Sequence, residues 1–281
     1  MKLRFLANPE LAHGEFAHVL EATHKASSRQ RFDVDTGSSM DRPIVDVGPL
    51  YRERNRAVND AFAVRHEALF GLALLAEVND DDCAAHIVRI GFLAEALALK
   101  LGQSRRWAKL LRLAAPMHDI GKICIPDAVL NAPGGFTLEE RQAMNRHPGF
   151  GADILRKSNS PLFRLAADVA LSHHERYDGL GYPHRLRGAN IPLCARIVSV
   201  VDFFDALAKD RCDRAALSYD KIRQILRAER ENAFDPVVVD CFLRDWSGFI
   251  ELRERVTRRR PGFSELVGSP GDEPEHGEMQ A

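Results

Sequence analysis

"HHERYDGLGYP" (residues 173–183) puts two adjacent histidines and an acid ahead of a loop with two glycines, a tyrosine and a proline. A single histidine on an apolar face is ordinarily a core residue with its polar atoms satisfied. Two in succession point roughly 100° apart on a helix, so one apolar core does not easily absorb both. The run that delivers them, "SPLFRLAADVALSHHE", has helical spacing, and the glycines and proline after it mark a designed turn. What the pair does depends on what the rest of the chain brings to it.

The same helical periodicity recurs outward from this stretch. "CAAHIVRIGFLAEALALKLG" (83–102) follows an acidic cap "NDDD" and closes at Gly102. "QSRRWAKLLRLAAPMHDIG" (103–121) reads as one helix ending at Gly121. Thr137 with Glu140 three residues on predicts a capping box at the head of "TLEERQAMNRHP". "PLCARIVSVVDFFDALAKD", "DKIRQILRAERE" and "DPVVVDCFLRDW" complete the set. Strand-like alternation is almost absent, so the fold class expected is all-α. Residues 1–48 read as a loop-rich N-terminal extension, too short for a sensor domain, and 49–78 as a connecting helix with an apolar stripe at Val58, Phe62, Leu69 and Leu72. Residues 79–250 form the expected main domain. Residues 251–281 read as a helix end and a disordered Pro/Gly/Glu-rich tail.

Composition narrows the function. Of 281 residues 45% are hydrophobic and 28% charged, enough apolar material for a real core. A formal net charge of -1 offers no basic face to a nucleic-acid polymer, although a few local cations suffice for a small anion. Five scattered cysteines without a CxxC pair argue against a disulfide framework or a zinc knuckle and for a reducing, cytoplasmic setting. No run reaches the ~18 apolar residues of a membrane span, and "MKLRFLANPELAHGEF" does not read as a signal peptide.

Histidines and aspartates gather at predicted helix ends: His86, His118 with Asp119, His147, His173 with His174, and Asp202. Imidazole and carboxylate together suit first-row divalent metals, and seven such donors exceed what one tetrahedral ion uses, which implies at least two ions. Two ions ~3.5–4 Å apart lower the pKa of a water and clamp the oxygens of an in-line phosphoryl displacement.

"HxxR" at His86–Arg89, "HDIGK" at 118–122, "HHExxDGxGYP" at 173–183, "IPLCARI" at 191–197 and "VVDFFDAL" around Asp202 resemble an HD-GYP domain, a subgroup of the HD-superfamily metal phosphohydrolases. The likeness runs from about residue 70 to 245. It implies a helical HD-superfamily bundle and hydrolysis of cyclic di-GMP to pGpG, with GMP as a further product. It also implies metal ligands at His118, Asp119, His147, His173, His174 and Asp202, Asp119 bridging two ions, iron or manganese. His86 resembles the ligand that joins when a third ion is present. Asp82, where some relatives carry Glu, is either a weaker ligand for that ion or only a helix cap.

The resemblance also assigns Lys122 to the scissile phosphate and its departing oxyanion, making Asp119 and Lys122 the catalytic pair. Gly181, Tyr182 and Pro183 would wall the substrate pocket or meet a protein partner. Glu175, Arg176 and Asp178 could orient the imidazoles, with Arg176 equally readable as a solvent-facing salt-bridge partner. Relatives commonly continue after the last ligand with something like "RPYR". This chain has "RCDR", keeping Arg211 and Arg214 for the second phosphate but inserting Asp213. A different cyclic or linear nucleotide, or a poorly active module that binds cyclic di-GMP or a protein, therefore stays open beside the leading reading. The 49–78 helix resembles a connector able to form a homodimer, or it packs on the domain as its first helix.

Overall fold

Apolar residues at three- and four-residue spacing organise this chain into short helices whose ends, more than their faces, carry the polar chemistry. The computed structural model describes residues 83–132, 135–210 and 215–259, with isolated positions at 53, 54, 70, 71, 73 and 266. In chain order the helices are α1 (Cys83–Lys100), α2 (Arg105–Ala114), α3 (Asp127–Leu130), α4 (Leu138–Met144) and α5 (His147–Leu155). They continue with α6 (Pro161–Ser172), α7 (Leu193–Leu207), α8 (Tyr219–Ala228), α9 (Pro236–Arg244) and α10 (Trp246–Arg259). Tight 3-10 turns occupy Ala115–Met117, Ile120–Cys124 and Gly188–Asn190. Among the described residues the only strand-like pairing is an isolated bridge between Arg230 and Phe234, so the fold is all-α, as the periodicity predicts.

Helix boundaries follow local chemistry. Gly102 closes α1 with a φ of +79, a left-handed conformation that a side chain would resist. The capping box at α4 is formed: Glu140 N–H donates to Thr137 Oγ1 at 3.2 Å, and Thr137 N–H donates to Glu140 Oε2 at 2.8 Å. The 103–121 segment departs from the single helix expected. α2 stops at Ala114, and the chain tightens into the Ala115–Met117 turn at Pro116. Proline lacks the N–H that an α-helical bond requires, and its ring crowds the carbonyl four residues back.

α1 is the spine. Its Ile90, Leu93 and Leu97 are fully buried in one cluster with Ile197, Val201 and Phe204 of α7 and Val238 and Phe242 of α9. Each such side chain contributes roughly 1.5–3 kcal/mol when fully buried. A second cluster packs Ala152 and Leu155 of α5 against Leu162, Phe163, Ala166 and Ala170 of α6. α5 also lies on the Ile120–Cys124 turn, and α10 lies on α1. The site is assembled from residues near the ends of these packed elements.

The predicted 49–78 helix lies outside the described residues except at 53, 54, 70, 71 and 73, which are helical. From the expected disordered tail, Leu266 is described, and it corrects that expectation locally. It is helical, 1% exposed, and packed with Val88 and Val256.

Candidate metal centre

The Ala115–Met117 turn ends in His118, and Asp119 follows with φ −102 and ψ 8, outside both helix and strand. This break aims the two side chains of the "HD" pair independently. His147 is the first residue of α5, His173 caps the C-terminus of α6 with His174 just beyond, and His86 and Asp202 project from α1 and α7. Because His174 lies past the helix end, the 100° divergence expected of adjacent helical residues does not apply. Their ring centroids are 4.0 Å apart, and both face one cluster.

The donors fall into two groups, Asp119 with His147, His173 and His174, and His86 with His118 and Asp202. Asp119 faces both. Its Oδ1 lies 3.0 Å from His147 Nε2 and 3.4 Å from His173 Nε2. Its Oδ2 lies 3.3 Å from His118 Nε2 and 2.6 Å from Lys122 Nζ. Asp202 Oδ1 lies 3.5 Å from His86 Nε2 and 3.9 Å from His118 Nε2. The structure thus brings together His86, His118, Asp119, Lys122, His147, His173, His174 and Asp202. Asp82, Arg211 and Arg214 lie outside the described residues.

The imidazoles are oriented from behind. Nδ1 of His118 meets the Ala115 carbonyl at 3.0 Å, that of His147 the Met144 carbonyl at 2.7 Å, and that of His173 the Ala170 carbonyl at 2.9 Å. A carbonyl only accepts, so each Nδ1 carries a proton, and in a neutral ring Nε2 presents a bare lone pair. Burial pushes the His173 pKa down, against the nearby Asp119 charge, and burial with the neighbouring His173 pushes His174 well down, so both favour the neutral form. Nε2 of His147 and Nε2 of His173 are then 3.5 Å apart with Asp119 Oδ1 beside them. Where both rings are neutral no proton lies between these atoms, and a cation reconciles them. The donor set therefore fits divalent metal ions.

Burial works to raise the Asp119 pKa, but Lys122 and His118 outweigh it and hold the carboxyl well below its ordinary range. It is an anion poised between cationic or metal-accepting partners.

The loop after the histidines closes one side. Tyr182 stacks on His174 at 4.8 Å and 25°, and burial, with Asp119's charge adding, raises its hydroxyl pKa. A Cβ on Gly181 would meet Arg176 N at 2.2 Å and Glu175 Cα at 2.6 Å, so the loop's close return requires glycine. Leu180 at its tip is 77% exposed.

Glu175 has a different job from the expected one. Its buried carboxylate accepts from the N–H groups of His184 (2.7 Å) and Leu186 (3.0 Å), stapling the loop. Arg176 pairs with Asp178 at 2.7 Å and approaches Glu229 at 3.6 Å, while Asp178 accepts from the Leu180 N–H at 2.9 Å. These three brace the loop through backbone N–H groups and the Arg176–Asp178 pair.

Sequence reasoning missed Asp205. It lies one helical turn after Asp202 and is fully buried between His86, Arg89 and Arg253. The repeated Asp at i and i+3 and the "HxxR" spacing were its available signals. Arg253, on a distant helix, had none.

An all-helical frame turns seven imidazole and carboxylate donors toward one another in two groups able to hold metal ions. The chain belongs to the HD domain family, whose model matches residues 62–238. It is 34% identical over 221 residues to the 3'3'-cGAMP-specific phosphodiesterase 2 of Vibrio cholerae, covering 77% of this chain and 42% of that protein. It is 42% identical over 188 residues to the cyclic di-GMP phosphodiesterase response regulator RpfG of Xanthomonas campestris, covering 67% and 50%. The crystal structure of a cyclic GMP-AMP-specific phosphodiesterase of V. cholerae superposes with a TM-score of 0.50 at 17% identity, covering 73% of this chain and 57% of that one, a likeness of fold alone. The chain spans about half the length of the curated relatives it matches. No helix among the described residues is long and apolar enough to cross a membrane.

Proposed function

We propose that this chain is a metal-dependent phosphodiesterase that opens cyclic di-GMP to pGpG, with GMP as a further product. The observation that carries the reading is the Asp119 carboxylate, whose two oxygens face two separate donor groups with Lys122 at its edge. That is the arrangement needed to bridge two ions beside a phosphate. Relatives bearing cyclic di-GMP phosphodiesterase names at 33–42% identity support the substrate class.

Two divalent ions, iron or manganese, suit the imidazole and carboxylate donors, and His86 with Asp82 would add ligands only where a third ion binds. Bound there, they supply Lewis acidity and a water of lowered pKa. The chain's own residues do the rest. Asp119 spans the two groups. The Lys122 ammonium sets positive charge where phosphate oxygens and the leaving oxyanion would lie. Tyr182, kept protonated, offers an O–H at the pocket wall beside Gly181 and Pro183, and Arg211 and Arg214 meet the second phosphate. We assign the protein to the cytoplasm, with a homodimer through the 49–78 helix and a protein partner at the exposed GYP loop.

A second reading has its own support: three relatives are named 3'3'-cGAMP-specific, so cyclic GMP-AMP is the rival substrate. Anaerobic purification, metal analysis and a time course with Fe(II) or Mn(II) on both dinucleotides test the proposal. About two metals per chain and accumulating pGpG are expected. Metal without cyclic di-GMP turnover, but with cyclic GMP-AMP cleavage, would select the second substrate. Turnover of neither would overturn the phosphodiesterase reading.

A further inference from the structure

Beneath the second donor group lies a buried charge cluster. The two oxygens of Asp205 are filled from four sides. Oδ1 accepts from Arg89 Nε at 2.7 Å and from Arg253 Nε at 2.8 Å. Oδ2 accepts from Arg89 Nη2 at 2.9 Å and meets His86 Nδ1 at 2.8 Å. Asp205 and Arg89 are 0% exposed, and Arg253, from α10, is 8% exposed.

A carboxylate whose oxygens already take three guanidinium N–H groups, which can only donate, acts there as an acceptor. Its fourth contact can only be an N–H from His86. The proton therefore sits on Nδ1, and Nε2 is the atom turned toward Asp202 Oδ1, 3.5 Å away. His118, His147 and His173 are set by backbone carbonyls of their own turns. His86 is oriented instead by a side chain from another helix, and that side chain is clamped by a third.

We propose that Asp205, clamped by Arg89 and Arg253, is the positioning residue that makes His86 a metal ligand, so that α10 helps to hold the His86, His118 and Asp202 group. The proposal rests on the reading of the site as a metal centre. A carboxylate behind a ligating imidazole fixes its tautomer and raises its basicity, and removing such a partner typically weakens metal binding about 10–100-fold.

The test is titration of the metal-free full chain with Mn(II), comparing wild type, Asp205→Asn, His86→Ala and the double variant. Asparagine keeps the shape and removes the charge. The expected result is a 10–100-fold weakening of the binding event that His86→Ala also weakens, with the other event unchanged. In the His86→Ala background Asp205→Asn should then have no further effect, because its action runs through that ring. A residue that merely supported the fold would weaken both events and add to His86→Ala. If Asp205→Asn does not fold, Arg253→Gln, at the cluster's edge, replaces it. It should weaken the same event several-fold, again only when His86 is present. Wild-type affinity in the variant tested, or a loss that persists without His86, overturns the proposal. Failure of wild type to bind Mn(II) at all would instead overturn the metal-centre reading beneath it.

Discussion

Gly121 is where the HD turn and the His147 helix touch backbone to backbone, and Gly121→Ala should unseat a ligand. A methyl group there would lie 2.0 Å from the His147 carbonyl oxygen, 2.5 Å from the Gly151 nitrogen and 2.9 Å from the His147 carbonyl carbon. All three are backbone atoms, so no rotamer change relieves the contact. Non-bonded heavy atoms settle at about 3.5 Å, so α5 and the Ile120–Cys124 turn must separate by more than about 1 Å. A functional constellation tolerates about 0.5 Å. His147 opens α5, so the displacement passes directly to its Nε2, now 3.0 Å from Asp119 Oδ1. Overpacking of this kind costs about 1–3 kcal/mol, or several degrees of Tm at roughly 2–4 °C per kcal/mol for a domain of this size. A 1 Å misplacement can reduce turnover ~100-fold.

The assay pairs metal content after Mn(II) loading with calorimetric Tm and the rate of cyclic di-GMP cleavage. Gly149→Ala serves as control, since nothing lies within 4 Å of a Cβ there. It should keep both metals and gain up to about 0.5–1 kcal/mol from helix propensity. Gly121→Ala should lose the ion held by Asp119, His147, His173 and His174. If it retained wild-type metal content and wild-type turnover, the claim that this contact sets the ligand geometry would be wrong.

His118→Ala should abolish hydrolysis while leaving the far-UV circular dichroism spectrum and cooperative unfolding in place; wild-type turnover would remove His118 from the site. Gly181→Ala should lower Tm and weaken substrate binding, because its Cβ would strike Arg176 N at 2.2 Å and the His174 carbonyl oxygen at 2.6 Å; an unchanged KM and Tm would show the loop to be freely adjustable. Metal-free protein should lose stability as pH falls through about 6.5. Burial lowers His173 below 6.5 and His174 well below it, so the unfolded chain there binds protons that the folded state refuses. The slope reaches about 1.4 kcal/mol per pH unit for each histidine, and a Tm that stayed flat from pH 7.5 to 5 would contradict the buried neutral pair.

The candidate donors were legible in the sequence because metal chemistry admits few residue types, and those types are scarce among apolar helices. His118, Asp119, His147, His173 and His174 stand out as polar residues where a periodic run ends, Asp202 as an acid inside one, and the structure gathers all six. The capping box at Thr137 was legible for a similar reason: both partners lie within one turn. Gly121 reads in the sequence only as the end of a helix. Its real constraint is a backbone 26 residues away, at His147, and a close approach between distant segments leaves no local pattern. The broken helix at Pro116 carried a visible signal, outweighed in reading by the continuous apolar stripe on either side.

Residues that hold the ligands are harder to read, for a physical reason that Asp205 makes plain. A buried carboxylate between two guanidiniums loses much of its Coulomb attraction to desolvation, and apolar replacements of such clusters are often neutral or stabilising. Stability alone therefore gives weak grounds for Arg89, Asp205 and Arg253 in the core. An acceptor that cannot donate does give such grounds, because it forces His86 into one tautomer and one orientation. Nothing in sequence spacing distinguishes this from a surface ion pair: Arg253 is 48 residues from Asp205, and Asp205 is 119 from His86. Only the packing of α10 on α1 brings the guanidinium to the carboxylate. The C-terminal helix, which the sequence marks only as the end of the domain, thereby becomes part of what aims a ligand.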